Sequence, residues 1–367
     1  GGPPCQGFSK IGRGKLDHLA QKNGACKFDP RNRLYRKFLA VLAWVRPKIF
    51  LLENVPGILS TGGTNVAEKI CKGGEAAGYR VLCTALNAAW YGVPQTRERV
   101  FILGIRTDLD VTPSFPQPDH RAVLTPGHLS ESDQAGARFR NRAFFHKMEN
   151  PRTGPSAIGV EAALGDLPPF LDHLRDSEYK ADRAKMRPLP YRGGRPTAYA
   201  SLMRRWDETL VSNQVLDHYC RSTPRDFETF GLMRPGDKYP HAVAIAEKRY
   251  EKAKRLYQKG ILSSRPRRKD FVPPYKLGAF EEKWWKLVPS LPSWTITAHL
   301  GKDCYSHIHY DAQKRAITMR EAARLQSFPD AFVFSGGMGP CFRQIGNAVP
   351  PLLSFALAEH IRSLLRR

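Results

Sequence analysis

The run Ile49-Phe50-Leu51-Leu52, leading into Glu53-Asn54-Val55-Pro56-Gly57, decides how this chain is read. A continuous apolar run of strand length is the pattern of a parallel strand buried on both faces. Upstream, Asp29-Pro30 reads as an N-cap with proline at the first helical position. The helix it opens carries Leu34, Phe38, Leu39 and Leu42 on one face and stops before Arg46-Pro47. Downstream come a helix over residues 65–77, a strand near 79–86, the turn Gly92-Val93-Pro94 and a strand over 100–105. Alternating helices and strands predict an α/β unit with a mostly parallel sheet. In such sheets the ligand crevice lies beyond the carboxyl ends of the strands, where Glu53 sits. In isolation, a glutamate there is as ordinary as any surface carboxylate.

Working outward, the chain opens on Gly1-Gly2-Pro3-Pro4-Cys5-Gln6-Gly7-Phe8-Ser9. Two prolines remove two amide donors and exclude a helix interior or a central strand, while the flanking glycines allow a sharp turn. A thiol at such a corner is a candidate nucleophile, although a lone cysteine is more often a small buried hydrophobe. Its loop leads toward the sheet, so Cys5 and Glu53 are expected in one crevice. Residues 10–28 are polar and rich in glycine and lysine, a basic loop. Gln95-Thr96-Arg97-Glu98-Arg99 enters the next strand with Gln95, Arg97 and Arg99 on one face. Two arginines beside a buried strand are costly unless they meet an anion or a carbonyl oxygen; on a solvated edge they would be unremarkable surface charges.

Composition narrows the partner. Of 367 residues, 58 are Lys or Arg and 34 Asp or Glu, a formal charge of +24 that points to a polyanion, nucleic acid before a membrane surface. No apolar run approaches the roughly 18 residues of a membrane span. The 7 cysteines are scattered without Cys-x-x-Cys spacing, which argues against a disulfide framework and a zinc site and for a reducing compartment. The cytoplasm, nucleoid-associated in a prokaryote, is the expected location.

In this order, Pro-Pro-Cys-Gln-Gly-Phe-Ser, Glu-Asn-Val and Gln-Thr-Arg-Glu-Arg resemble the central motifs of the cytosine-5 DNA methyltransferases. Arg320-Glu321-Ala322-Ala323-Arg324-Leu325-Gln326-Ser327-Phe328-Pro329 and Gln344-Ile345-Gly346-Asn347-Ala348-Val349-Pro350-Pro351 resemble the last two. The resemblance covers about 1–107 and 293–367. It implies an S-adenosylmethionine-dependent, Rossmann-like α/β sheet, incomplete at its N-terminus, with an inserted target-recognition domain. The implied boundaries are 1–107 for the central catalytic part, 108–291 for target recognition and 292–367 for the C-terminal catalytic part. The family's Phe-x-Gly-x-Gly cofactor turn is absent; Phe334-Ser335-Gly336-Gly337-Met338-Gly339 imitates it but reads as a connecting loop. The chain is therefore expected to be N-terminally incomplete, and inactive alone unless a missing segment or a second chain supplies that turn.

The resemblance also implies roles. The Cys5 thiolate adds to cytosine C6, Glu53 meets N3 and the exocyclic amine, Arg99 holds O2, and Arg97 steadies the closed loop or a phosphate. The base must leave the duplex, with 10–28 as the lid and Gln6 and Ser9 near the DNA. Pro4, Asn347 and Ala348 match positions that meet S-adenosylmethionine. The substrate implied is double-stranded DNA, methylated sequence-specifically in a restriction-modification setting; the other reading is a DNA-binding half without chemistry. In 108–291 a helix over 241–259 carries Lys248, Lys252, Lys254, Arg255 and Lys259, followed by Arg265, Arg267, Arg268 and Lys269. These residues, with Arg267 and Arg268 foremost, are a solvated face or a DNA-backbone contact. His218, Arg221 and Arg225-Asp226 read equally as base contacts or internal pairs. Trp294–Ala298 has strand character, Thr318 and Glu321 form a capping-box pattern, and 352–365 reads as a final amphipathic helix.

Overall fold

A computed structural model describes residues 1–4, 8, 30–61, 63–122, 135–175, 186–278 and 283–366. Cys5, Gln6, Ser9 and the 10–28 segment lie outside the described residues. Two compact units emerge, one of Gly1–Gly92, Arg97–Ser156 and Leu352–Arg367, the other of Val93–Thr96 and Ala157–Pro351.

The first unit is built on a three-stranded sheet of β1 (Ile49–Asn54), β2 (Tyr79–Asn87) and β3 (Glu98–Arg106) in the order β1-β3-β2. Helix α1 (Tyr35–Val45) follows a 3-10 turn over Pro30–Arg33 and ends on Arg46 in the left-handed conformation. Helix α2 (Val66–Ala76) is capped by Asn65, whose side chain accepts the Glu68 N–H. The expectation of a mostly parallel sheet is corrected here: β3 runs antiparallel to both neighbours. The reason lies in the connection from β2, which holds one short turn over Ala88–Tyr91 and no crossover helix, so the chain can only double back. Consequently β3, not β1, is the strand buried nearly throughout, whereas β1 alternates between buried and half-buried side chains.

Phe50 explains the glycine in the middle of β3. It faces Gly104 across the ladder, and a methyl group at Gly104 would fall 2.0 Å from its ring. The ring fills that space and meets Tyr79 edge-on at 5.2 Å between centroids. Leu42, Leu52, Ile70, Val81 and Ile102 complete the core around it, with Phe8 returning into the same cluster. The final helix, α10 (Pro351–Leu365), buries Leu353, Leu357 and Leu364, while Phe355 and Leu365 stay exposed.

The second unit is helical and irregular, comprising α3 (Val160–Leu164), α4 (Asp172–Arg175), α5 (Ala198–Arg204), α6 (Phe227–Leu232), α7 (Tyr239–Gln258), α8 (Met319–Leu325) and α9 (Met338–Asn347). Trp294–Ala298 is not a strand; pairing there is one isolated bridge, Gln95 with Ser293. The capping box at α8 is present, with Glu321 N–H donating to Thr318 Oγ1 (3.1 Å) and Thr318 N–H to Glu321 Oε2 (2.7 Å). No helix among the described residues is long and apolar enough to cross a membrane.

Three fully buried arginines hold this unit. Arg315 forks onto both oxygens of Glu321 at 2.7 and 2.8 Å. Arg320 reaches the carbonyls of Leu216 and Pro329. Arg324 donates to Asp330 and Asp166, each at 2.7 Å. The same network answers the question over His218. Its Nε2 donates to the Pro168 carbonyl (2.8 Å), so Nδ1 is left to accept from Thr318 Oγ1 (3.1 Å). Arg225 forks onto Asp226 at 2.7 and 2.8 Å, and Arg221 donates to the carbonyls of Gly301 and Lys302. The alternative of internal pairs therefore describes all three.

Burial depresses the His218 and His307 imidazoles to about 4, so both are neutral in the folded state. An unfolded histidine takes its proton near 6.5, hence between pH 6.5 and 4 the unfolded chain binds more protons. The contribution of these two imidazoles to stability should fall as pH drops through that window and level off below it. Urea unfolding at pH 7.5 and pH 5 is expected to differ by about 2–4 kcal/mol for this unit, and a flat profile would contradict neutral burial.

Candidate active site at the end of the first strand

The last residues of β1 gather the candidate chemistry of the first unit. Gly1 N–H donates to Leu51 O (2.5 Å) and Glu53 N–H to Gly1 O (2.9 Å), the slanted pattern of a parallel pair. The opening residues thus run alongside β1 toward its carboxyl end. There Asn54, fully buried, uses its amide twice: Nδ2 donates to the Pro3 carbonyl (3.0 Å) and Oδ1 accepts the Val55 N–H (2.9 Å). The far side of the loop is fixed as well. Phe8 is buried, and Gly57 packs so closely against it that a methyl group there would stand 1.9 Å from the Phe8 carbonyl oxygen. Pro3 and Phe8, which flank Cys5 in the sequence, are therefore both held by the turn that leaves β1.

Glu53 projects beside this loop. Its Oε1 accepts from Arg99 Nε at 3.0 Å, and the two side chains are 22% and 12% exposed, so the pair is largely shielded yet open on one side. Arg99 also donates Nη1 to the Glu98 carbonyl at 2.7 Å. β3 positions it: Glu53 pairs with Phe101, two residues along from Arg99 on the same strand face. Arg97 is buried, its N–H on Asn87 Oδ1 (3.3 Å) and its carbonyl on the Ala88 N–H (2.9 Å). A carboxyl and a guanidinium side by side can meet a ring nitrogen and an adjacent carbonyl of a planar base.

Gln95, placed by alternation with the two arginines, does other work. Its Nε2 donates to Leu325 O (3.1 Å) and its Oε1 accepts from Ile296 N–H (2.8 Å) within the second unit. Asn54 is a candidate site residue that sequence alone does not single out; its place in Glu-Asn-Val is visible, but not its bond to Pro3.

The described cysteines, 71, 83, 220, 304 and 341, are all buried free thiols. Burial pushes Cys220 and Cys304 up to about 12 and raises Cys83 further from the thiolate. None of these three is suited to nucleophilic attack.

For a methyl donor, Pro4 in the first unit is exposed, and in the second unit Asn347 is exposed at the end of α9 with Ala348 half-buried after it. Gln326 Nε2 fixes this turn through Ile345 O (3.0 Å) and Ala348 O (2.8 Å). An accessible amide with donor and acceptor fits the ammonium and carboxylate of a methionine moiety. Arg267 and Arg268 are exposed and paired, with Asp270 (2.8 Å) and Glu247 respectively.

A family model described as C-5 cytosine-specific DNA methylase matches residues 1–363. The type II methyltransferase M.OihORF3336P of Oceanobacillus iheyensis is 37% identical, covering 99% of this chain and 78% of its own length. Type II methyltransferase M.AgeI of Thalassovita gelatinovora is 33% identical over 99% of this chain and 82% of its own. The crystal structure of a DNA modification methyltransferase encoded within an E. coli prophage shares the fold, with a TM-score of 0.60 at 22% identity, over 100% of this chain and 78% of that one. Neither the family match nor the relatives support a DNA-binding half served by a second chain. With the Pro-Pro-Cys loop tied to Glu-Asn-Val and Glu53 paired to Arg99, this chain belongs to the C-5 cytosine-specific DNA methylase family.

Proposed function

We propose that the protein methylates C5 of a cytosine flipped out of double-stranded DNA, at a specific sequence, as a type II modification enzyme. The observation that carries this reading is the Glu53–Arg99 pair beside a loop anchored by Asn54. S-adenosylmethionine, as the methyl donor, supplies an electron-deficient methyl carbon. Cytosine C5 is a poor nucleophile, so the Cys5 thiolate first adds to C6, sending an electron pair to C5 while Glu53 delivers a proton to N3. Arg99 holds O2 as Glu53 turns to the ring. C5 takes the methyl group as the donor's methyl–sulfur bond breaks and S-adenosylhomocysteine leaves; loss of the C5 proton to solvent then expels the Cys5 thiolate, Glu53 takes back the N3 proton, and aromaticity is restored. Arg97, buried below, steadies the loop.

The remaining assignments follow the same reading. Pro4, Asn347 and Ala348 meet the methyl donor. Gln6 and Ser9 lie near the DNA, target recognition falls to 108–291, and Arg267 and Arg268 exchange their acids for phosphate. Surface ion pairs of that kind are worth about 0–1 kcal/mol, so the exchange costs little.

The test is transfer of labelled methyl from S-adenosylmethionine to duplex DNA by the full-length protein, with digestion to nucleosides. Label in 5-methylcytosine is expected; label on an exocyclic nitrogen, or none in DNA that the protein binds, overturns the reading.

Asn54 offers a separate check. Asn54→Ala removes the donor that holds Pro3 and leaves its carbonyl unpaired. A misplacement of the nucleophile by about 1 Å costs on the order of 100-fold, so adduct formation on 5-fluorocytosine DNA should slow by about 10–100-fold. DNA affinity should change by less than about threefold, since no contact with DNA is removed.

A further inference from the structure

Helix α7 carries the longest exposed face of the described residues, and its charges are sorted around it. Tyr239, Ala242, Ala246 and Ala253 are buried, and Tyr239 lies in the aromatic cluster with Trp284 and Phe230. With about 100° between successive residues, Lys248, Lys252, Arg255 and Lys259 fall within an arc of about 60°, turned well away from that buried side. All four are exposed.

What happens to the acids of the helix matters as much. Glu247 is taken by Arg268, which returns from the segment after the helix, and Glu251 is taken by Lys254 at 3.0 Å. Lys254 thereby leaves the basic set, and Glu247 and Glu251 are spent on cations outside the stripe. Among the described residues no acid pairs with Lys248, Lys252, Arg255 or Lys259. The result is a continuous cationic ridge about 16 Å long at 1.5 Å per residue, on a helix anchored in an aromatic core.

The structure assigns this ridge to the phosphate backbone of duplex DNA, as a sequence-independent holding surface. The assignment rests on the DNA reading above and goes beyond it by naming four residues and a function they serve together. Three of the four residues are lysines, point charges on flexible stems, and the fork of Arg255 suits a phosphate, so the ridge neutralises phosphates and carries little sequence information. Successive phosphates of one strand advance about 3.4 Å along the helix axis, so a ridge of this length meets several of them. Such contacts release counterions, raise the encounter rate and make affinity depend steeply on salt.

The experiment is the salt dependence of binding to duplex DNA, with and without the target sequence, for wild type and for a variant carrying K248Q, K252Q, R255Q and K259Q. Each phosphate contact contributes about 0.9 to the slope of log K against log salt, so the slope should fall by about 2–4. Affinity at physiological salt should drop by the same factor on target and non-target DNA. K254Q is the control and should keep the wild-type slope, because Lys254 stands about 100° round the helix from the nearest residue of the ridge. Circular dichroism of both variants reports whether the helix is intact. An unchanged slope in a folded quadruple variant overturns the assignment, as does a loss confined to target DNA. If wild type itself does not bind DNA, the broader reading has failed instead.

Discussion

Cys5→Ser is expected to reduce methyl transfer by about 10⁴-fold or more, the scale reached when a covalent nucleophile is removed. A serine hydroxyl holds its proton far more tightly than a thiol, so at neutral pH it offers almost no anion to add at C6. Without that addition C5 keeps its poor nucleophilicity, and on the proposed mechanism neither Glu53 nor Arg99 can compensate, since both would act on charge that the addition creates. The expected pattern is specific. DNA containing 5-fluorocytosine should be trapped by wild type in a complex that survives denaturation, because fluorine cannot leave as the C5 proton does. Cys5→Ser should give no such complex while still binding the DNA. A trapped complex in Cys5→Ser would remove Cys5 from the mechanism. A Cys83→Ala variant offers a contrast: its buried thiol lies in the core, and trapping should persist wherever that variant folds.

The second large effect concerns folding. Arg324→Met is expected to destabilise the second unit by about 3–5 kcal/mol, as is typical when one partner of a buried ion pair is deleted. Arg324 has no exposed side-chain surface and serves Asp330 and Asp166 together, with Asp330 also fully buried. Tyr191 donates to Asp330 at 2.6 Å, but a phenol cannot neutralise a buried carboxylate. In a unit of this size the loss corresponds to a midpoint lower by about 10 °C. The sign of its pH dependence provides a second reading. Although burial alone would raise it, Arg324 holds the Asp330 carboxyl below the ordinary carboxylate range. The stability from that pairing is present above the unfolded value near 4 and is lost as pH falls through the folded one. In Arg324→Met the carboxyl can protonate readily, so the gap between variant and wild type should narrow below about pH 4. A variant within about 1 kcal/mol of wild type at pH 7 would show that the network is not needed.

Much of the candidate site was written locally. Glu53 and Asn54 follow an apolar strand, and strand ends are where α/β sheets place their ligands, so position put Glu53 at a crevice and the motif resemblance set it apart from an ordinary surface carboxylate. The cap at Thr318 and the stop at Arg46-Pro47 were likewise legible, because each depends on residues within one turn. The direction of β3 was not. It depends on whether the 88–97 connection holds a helix, and alternating apolar strands look alike in either direction. Two partners of the arginines of 315–324 were not legible either, because Leu216 and Asp166 lie 104 and 158 residues away along the chain from Arg320 and Arg324. His218 and Arg225 stood between base contact and internal pair until the carbonyl of Pro168 and the carboxylate of Asp226 were seen beside them.

The contact of Gly57 with Phe8 has a consequence for how variants of this protein will be interpreted. On one side of Cys5 in the sequence Pro3 is tied by Asn54, and on the other Phe8 is wedged by a residue with no side chain. Any side chain at Gly57 must push the Phe8 backbone outward. A screen for loss of modification would therefore return hits in the turn after β1, far from the nucleophile in sequence and never touching DNA. Such hits would mimic active-site lesions in every kinetic assay while leaving the chemistry of each catalytic group intact.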